Sequence, residues 1–285
     1  MIEVEGLSFR YPGSDRDAIG DVSFRIGPAE VFGFLGPSGA GKSTTQRILT
    51  GVLAGWQGVV TVENQPLRSL GASYRAGIGV SFEYPNVYTR LTARENLDFF
   101  ASLYPAPTRP PLELLELVGL RDVADRRVVT FSKGMRMRLN LARAFVNRPR
   151  ILFLDEPTSG LDPANARLVK DLVRSSAAEG AAVFITTHDM GAAAELCDRV
   201  GFLADGRLRE QGPPRDLMVA HGRRVVRVEF RDESGKLEPR EFPLDGLGSD
   251  PGFARLLSEG RVETIHSTEA TLEDVFLEVT GRRLT

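Results

Sequence analysis

A chain of 285 residues, 42% hydrophobic and 26% charged, buries a sizeable core and suits one large domain with a smaller appendage, which excludes a disordered polymer. The formal net charge of -2 argues against a broad basic surface, so no nucleic-acid partner is expected. A lone cysteine, Cys197, excludes an internal disulfide, and the lack of any apolar run of about 18 residues or of a basic, then apolar, N-terminus predicts a cytoplasmic chain with no direct membrane insertion.

From Ile2 to about Ile26, short apolar runs flank a turn at Tyr11-Pro12-Gly13, which predicts antiparallel strands. Val31-Phe32-Gly33-Phe34-Leu35 is continuously apolar, as expected of a strand covered on both faces in a parallel sheet. A Gly-rich turn and a helix follow it. Thr92 to Leu103 and Pro111 to Val118 carry helical spacing, and the region of about 85–148 reads as mainly helical. Ile151 to Leu154 and Ala182 to Ile185 are further buried strands alternating with helices, so the core is α/β. The pattern stops at Gly212-Pro213-Pro214, after which Val226, Val228 and Phe230 alternate with Arg227, Glu229 and Arg231 as a half-buried strand. Thr271 and Asp274 form a possible capping box for a last amphipathic helix that carries Leu272, Val275, Phe276 and Val279 and stops at Gly281. The expected division is 1–215 and 216–285.

Gly36-Pro37-Ser38-Gly39-Ala40-Gly41-Lys42-Ser43 matches the phosphate-loop pattern, and it sits between a buried strand and a helix, where that pattern has physical meaning. Its glycines let backbone N–H groups curl around phosphate oxygens, and the helix start favours negative charge. Lys42 is expected to reach the β and γ phosphates, Ser43 to ligate Mg²⁺, and Thr44 to extend the phosphate contacts. A kinase, a switch GTPase and a transport ATPase all remain open on this loop alone.

Asp155 and Glu156 stand at the C-terminal end of the Ile151 strand, where ligands bind in open α/β sheets. Taken alone, such a pair simply leaves a strand. Beside a phosphate loop, Asp155 is expected to hold Mg²⁺ and Glu156 to orient or deprotonate the attacking water. His188 also follows a buried strand and is expected at the γ phosphate, whereas His221 and His266 fall in the appended region and read as solvent-facing or structural. Cys197, with no metal-ligand spacing or paired base, reads as a buried or neutral thiol.

Thr130-Phe131-Ser132-Lys133-Gly134-Met135 lies between these motifs, followed by a helical stretch from Arg136 to Val146. Read alone, Ser132 is a helix cap; its hydroxyl and the free N–H groups beside it also form an anion site. Together with the flanking motifs, in this order, the segment resembles the signature of ABC transporter ATP-binding subunits, over about the first 215 residues. The resemblance implies a P-loop NTPase core, mostly a parallel sheet, with an antiparallel β subdomain, a helical subdomain and a small C-terminal α+β domain. It also implies that Tyr11 stacks on adenine and that Asp162, in Ser159-Gly160-Leu161-Asp162, communicates across a dimer. Two copies then sandwich two ATP molecules, Ser132 and Gly134 serving the opposite copy. Movement passes through Ser81 to Leu91 to a membrane permease on whose inner face the chain sits.

The Ser-Lys-Gly-Met form and the Thr271-Leu272-Glu273-Asp274-Val275-Phe276-Leu277 tail resemble subunits of ABC-2-type exporters, including those similar to the daunorubicin-resistance pump. Export is therefore the expected direction; a soluble ABC-type ATPase acting on nucleic acid or ribosomes is the alternative. Glu83 stands where the family carries a γ-phosphate-sensing glutamine. As an oxygen donor it is expected to serve the metal site and to raise the Mg²⁺ dependence of the activity.

Overall fold

The computed structural model describes residues 1–105, 107–222, 225–232, 234–268 and 270–281. The chain forms two compact units, the first spanning Met1–Pro213 and the second opening at Pro214. Residues 282–285, which the sequence reading included in the appended domain, lie outside the described residues. Among the described residues no helix is long and apolar enough to cross a membrane.

In chain order the first unit carries β1 (Ile2–Phe9), β2 (Ile19–Ile26), β3 (Val31–Leu35), α1 (Lys42–Leu49), β4 (Gln57–Val62), β5 (Gln65–Pro66), α2 (Ala72–Gly77), β6 (Ile78–Ser81) and α3 (Ala93–Ala101). It continues with α4 (Pro111–Leu117), α5 (Lys133–Arg143), β7 (Ile151–Asp155), α6 (Pro163–Ala178), β8 (Ala182–Thr187), α7 (Met190–Leu196), β9 (Arg199–Ala204) and β10 (Arg207–Gly212). An antiparallel sheet runs β2-β1-β4-β5, and a second sheet runs β10-β9-β3-β8-β7-β6, in which only the β10–β9 pair is antiparallel. Every residue of β3, β7 and β8 is buried, which is why these strands read as unbroken apolar runs rather than alternating ones. Phe24 of β2 stacks on Phe32 of β3 at 5.3 Å between centroids and lies 5.9 Å from Phe184 of β8, so aromatic rings weld the two sheets into one core.

The helical stretch expected from Arg136 begins earlier, at Lys133, because Ser132 Oγ accepts from Met135 N at 3.2 Å and fixes the first turn. It ends at Arg143, three residues short of the expected Val146. Thr92 starts α3 through a reciprocal capping box with Glu95. Gly33 lies so close to Cys197 that a Cβ there would stand 2.6 Å from its sulfur. Cys197 is buried, and burial pushes its thiol up to about 12.

In the second unit, α8 (Pro214–His221) precedes β11 (Val225–Arg231), β12 (Leu237–Pro243), α9 (Pro251–Ser258), β13 (Val262–Thr268) and α10 (Leu272–Thr280). The sheet order is β12-β11-β13, antiparallel throughout. Val226, Val228 and Phe230 on one face of β11 form a small core with Phe242 and Leu256. Thr271 and Asp274 close the capping box of α10, and Gly281 ends that helix at φ 67.

Candidate active site

Strands β3, β8, β7 and β6 are neighbours and parallel, so their C-terminal ends share one edge of the sheet. The Gly36–Ser43 loop leaves β3 there. Asp155 closes β7, Thr187 closes β8 just before His188, and Ser81 closes β6 just before the segment carrying Glu83. Because β8 separates β3 from β7, the phosphate loop and Asp155 face each other across a strand end and leave a crevice between them.

That crevice is a cavity of about 430 Å³, within the size range of small-molecule clefts. The loop and α1 line it with Ser38, Gly39, Gly41, Lys42, Ser43 and Thr44, and the β1–β2 turn contributes Tyr11. Ala18, Glu83, Asp155, Glu156 and His188 complete the lining. Gly36, Pro37 and Ala40 shape the loop from behind: Lys42 Nζ donates to the Gly36 carbonyl at 2.6 Å and the Pro37 carbonyl at 3.1 Å, and the Ala40 carbonyl accepts from Gly206 N at 3.1 Å. Gly41 has φ 108, and a Cβ there would meet the Ala18 carbonyl at 2.5 Å, so the turn into α1 admits only glycine. The Tyr11 ring sits edge-on to Phe9, and its hydroxyl lies 3.2 Å from Thr44 Oγ1.

Burial lowers the Lys42 pKa from its ordinary value, while Glu156, Asp155 and Glu83 oppose that shift as nearby negative charges. Burial raises the Asp155 carboxyl, against hydrogen bonds from Thr186 and Ser43. Ser43 Oγ donates to Asp155 Oδ2 at 3.3 Å, and Thr186 Oγ1 donates to Asp155 Oδ1. Glu156 is more tightly held. Its Oε1 lies 2.6 Å from His188 Nδ1 and accepts from His188 N at 3.0 Å, and its Oε2 accepts from Thr187 Oγ1 at 2.8 Å. Its backbone has φ 49, a conformation that L-residues seldom adopt and that marks functional sites. Thr186 and Thr187 escaped the sequence reading as site residues; a Thr pair at the polar end of an apolar strand, opposite an acidic pair, is the signal that would have found them.

Hard oxygen donors only are offered at Ser43 and Asp155, with Glu83 on the same wall, as suits Mg²⁺. Among the described residues no group of three or more His, Cys, Asp or Glu side chains closes a metal cage. A magnesium ion there would thus complete its shell with water and phosphate oxygens, its usual habit.

Ser132, Gly134 and Asp162 are not among the residues lining this cavity. Ser132 caps α5, and Asp162 caps α6 by accepting from Asn165 N at 3.0 Å, hydrogen bonds that hold its carboxyl below the usual range. Gly134 faces Leu161: a Cβ there would be 3.4 Å from Leu161 Cδ2, so the two segments pack side by side.

A family model described as ABC transporter matches residues 19–159, and one described as Fluoroquinolone efflux ABC transporter C-terminal domain matches residues 224–269. A fluoroquinolones export ATP-binding protein of Mycobacterium tuberculosis (strain ATCC 25618 / H37Rv) is 53% identical over 285 residues, covering 100% of this chain and 95% of that protein. The Nod factor export ATP-binding protein I of Paraburkholderia xenovorans (strain LB400) is 37% identical, covering 99% of this chain and 98% of that protein. Among solved structures, an ATP-binding subunit of an ABC transporter aligns over 77% of this chain and 92% of its own, with a TM-score of 0.69 and 27% identity. A dimeric ATP-binding cassette in a post-hydrolysis state, bound to ADP and Pi, aligns over 75% and 98%, with a TM-score of 0.68 and 26% identity. Loop, acidic strand end and capped helix thus stand in a chain that matches such subunits almost end to end, and the chain belongs to the ABC transporter family as an ATP-binding, ATP-hydrolysing subunit of the export type.

Proposed function

We propose that two copies of this chain close on two ATP molecules with Mg²⁺ and drive export through a separate membrane permease, the chain lying at the inner face of the membrane only through that partner. The observation that carries this reading is the division of the motifs. Lys42, Ser43, Asp155, Glu156 and His188 gather on one cavity, while Ser132 and Gly134 present a helix N-terminus elsewhere on the chain. A second copy supplies the missing wall.

Within the cavity, the loop N–H groups and Lys42 cradle the phosphates, Thr44 extends their contacts, and Tyr11 stacks on the adenine. Ser43 and Asp155 would hold a magnesium ion, with Glu83 as a further oxygen donor, and the ion would supply positive charge to the phosphates. Glu156, aimed by His188 and Thr187, takes a proton from the attacking water, and His188 faces the γ phosphate. Asp162 fixes the start of α6 so that the Ser159–Asp162 loop reports across the dimer. The full-length identity to a fluoroquinolones export protein supports a cargo of that chemical class.

Glu156→Gln tests the reading. Hydrolysis should fall by about a hundredfold or more while ATP binding persists, because the carboxamide keeps the shape and loses the base. The protein should then accumulate as an ATP-bound dimer in size-exclusion chromatography, and cells carrying it with the permease should retain fluoroquinolone. A hydrolytically active monomer would remove the model; unchanged drug efflux would remove the cargo.

A further inference from the structure

Asn140 sits in the middle of α5 with 2% of its surface exposed. Its Nδ2 donates to Ser81 Oγ and to the Phe82 carbonyl, each at 3.0 Å, and its Oδ1 accepts from Asn86 N at 3.3 Å. The Phe82 carbonyl can only accept and the Asn86 N–H can only donate, so the carboxamide has one orientation. Almost a turn further along, Arg143 Nη1 donates to the Asn86 carbonyl at 2.8 Å while its guanidinium packs 4.7 Å from the Phe100 ring centroid. From α3, Asn96 holds the far end: its Oδ1 accepts from Tyr88 N at 2.7 Å and its Nδ2 donates to the Tyr88 carbonyl at 3.0 Å.

These bonds fasten the end of β6, at Ser81, and the stretch of 82–88 that leaves it to α5 and α3. Glu83 lies inside that fastened stretch and on the wall of the nucleotide cavity. Ser132 caps the same helix that carries Asn140, about 12 Å away at 1.5 Å per residue. Helices are stiff over that distance, and a buried carboxamide with three partners resists being pulled off any of them.

We propose that Asn140 is a positioning residue that makes the Ser132 cap and the Glu83 segment move as one body. Engagement of Ser132 with the nucleotide of the second copy is then tied to where Glu83 stands beside the chain's own nucleotide. Each site senses the other through α5, with Asn140 at the joint. The inference rests on the two-copy reading above and adds to it the residue that links the two sites within a chain.

The test uses the full-length Glu156→Gln protein as parent, with ATP-driven dimerisation followed by light scattering and monomer affinity followed with a fluorescent ATP analogue. Asn140→Leu keeps the branched outline and removes the hydrogen bonds; Asn140→Asp keeps the shape and sets an acceptor against the Phe82 carbonyl. Both should leave monomer affinity unchanged and raise the ATP concentration for half-dimerisation by about tenfold. Ser81→Ala, which removes one of the three bonds, should shift it in the same direction by less, and it decides the matter if the Asn140 variants melt early. Dimerisation of all three at the parent's ATP concentration would overturn the assignment. A parent that stays monomeric in ATP would overturn the two-copy reading and this inference with it.

Discussion

Asp155 shows how a single residue trades stability for chemistry. Burial is the main cause of its raised pKa, so the ionised carboxylate opposes folding at any pH above that raised value, and the cost fades as pH falls through it towards the ordinary carboxylate range. Asp155→Asn should therefore raise the melting temperature of the nucleotide-free chain at neutral pH by a few degrees, at about 2–4 °C per kcal/mol for a domain of this size, and the gain should vanish in acid. The same variant should lose hydrolysis. Melting curves at pH 7 and pH 4 without divalent ions check it, and an equal shift at both would exclude desolvation as the cause. Several site residues were legible because their motif fixes spacing as well as type: the phosphate loop and the Asp155-Glu156 pair are contiguous. Thr186, Thr187 and Asn140 were not, since each acquires its role only from a partner far along the chain, as Asn140 does from Ser81, 59 residues away.

At the scale of elements, β3, β7 and β8 announced themselves by unbroken apolar sequence, β9 carried the same signal from Val200 to Ala204 and was overlooked, and β6 and β10 lacked it. β6 has only four residues, Ile78–Ser81, too few to show a period, and β10 is largely solvent-facing and polar. Helix starts were legible where a cap was written in sequence, as at Thr271 and Ser132. Packing between elements left no such trace. Gly33 on β3 makes room for Cys197 just after α7, so Gly33→Ala should destabilise the chain by about 1–3 kcal/mol through overpacking. Adding Cys197→Ala removes the sulfur and should recover most of that loss. Urea unfolding of the two single variants and the double variant measures the coupling, and strictly additive effects would mean that the strain lies elsewhere.

For the molecule as a whole, each unit has a core of its own: in the first it extends from Ile2 to Leu203, and in the second it gathers around Val228. A fragment of residues 1–213 should accordingly melt cooperatively and bind ATP, whereas residues 214–285, with a core of few side chains, should be marginal alone. Calorimetry of both fragments, with nucleotide added to the first, checks this, and a 1–213 fragment without a melting transition would show that the units fold together. The sequence break at Gly212-Pro213-Pro214 was readable because glycine and proline interrupt both kinds of periodicity at once.

The burial of Cys197 has a practical side. The chain's only thiol is enclosed and held protonated well above neutral pH, so maleimide and nitroxide reagents find nothing to react with on the native surface. A cysteine placed on the exposed side of α6 or at the tip of the Ser159–Asp162 loop would carry the only label. Opening and closing of a pair of chains could then be timed by distance spectroscopy in the otherwise unaltered protein.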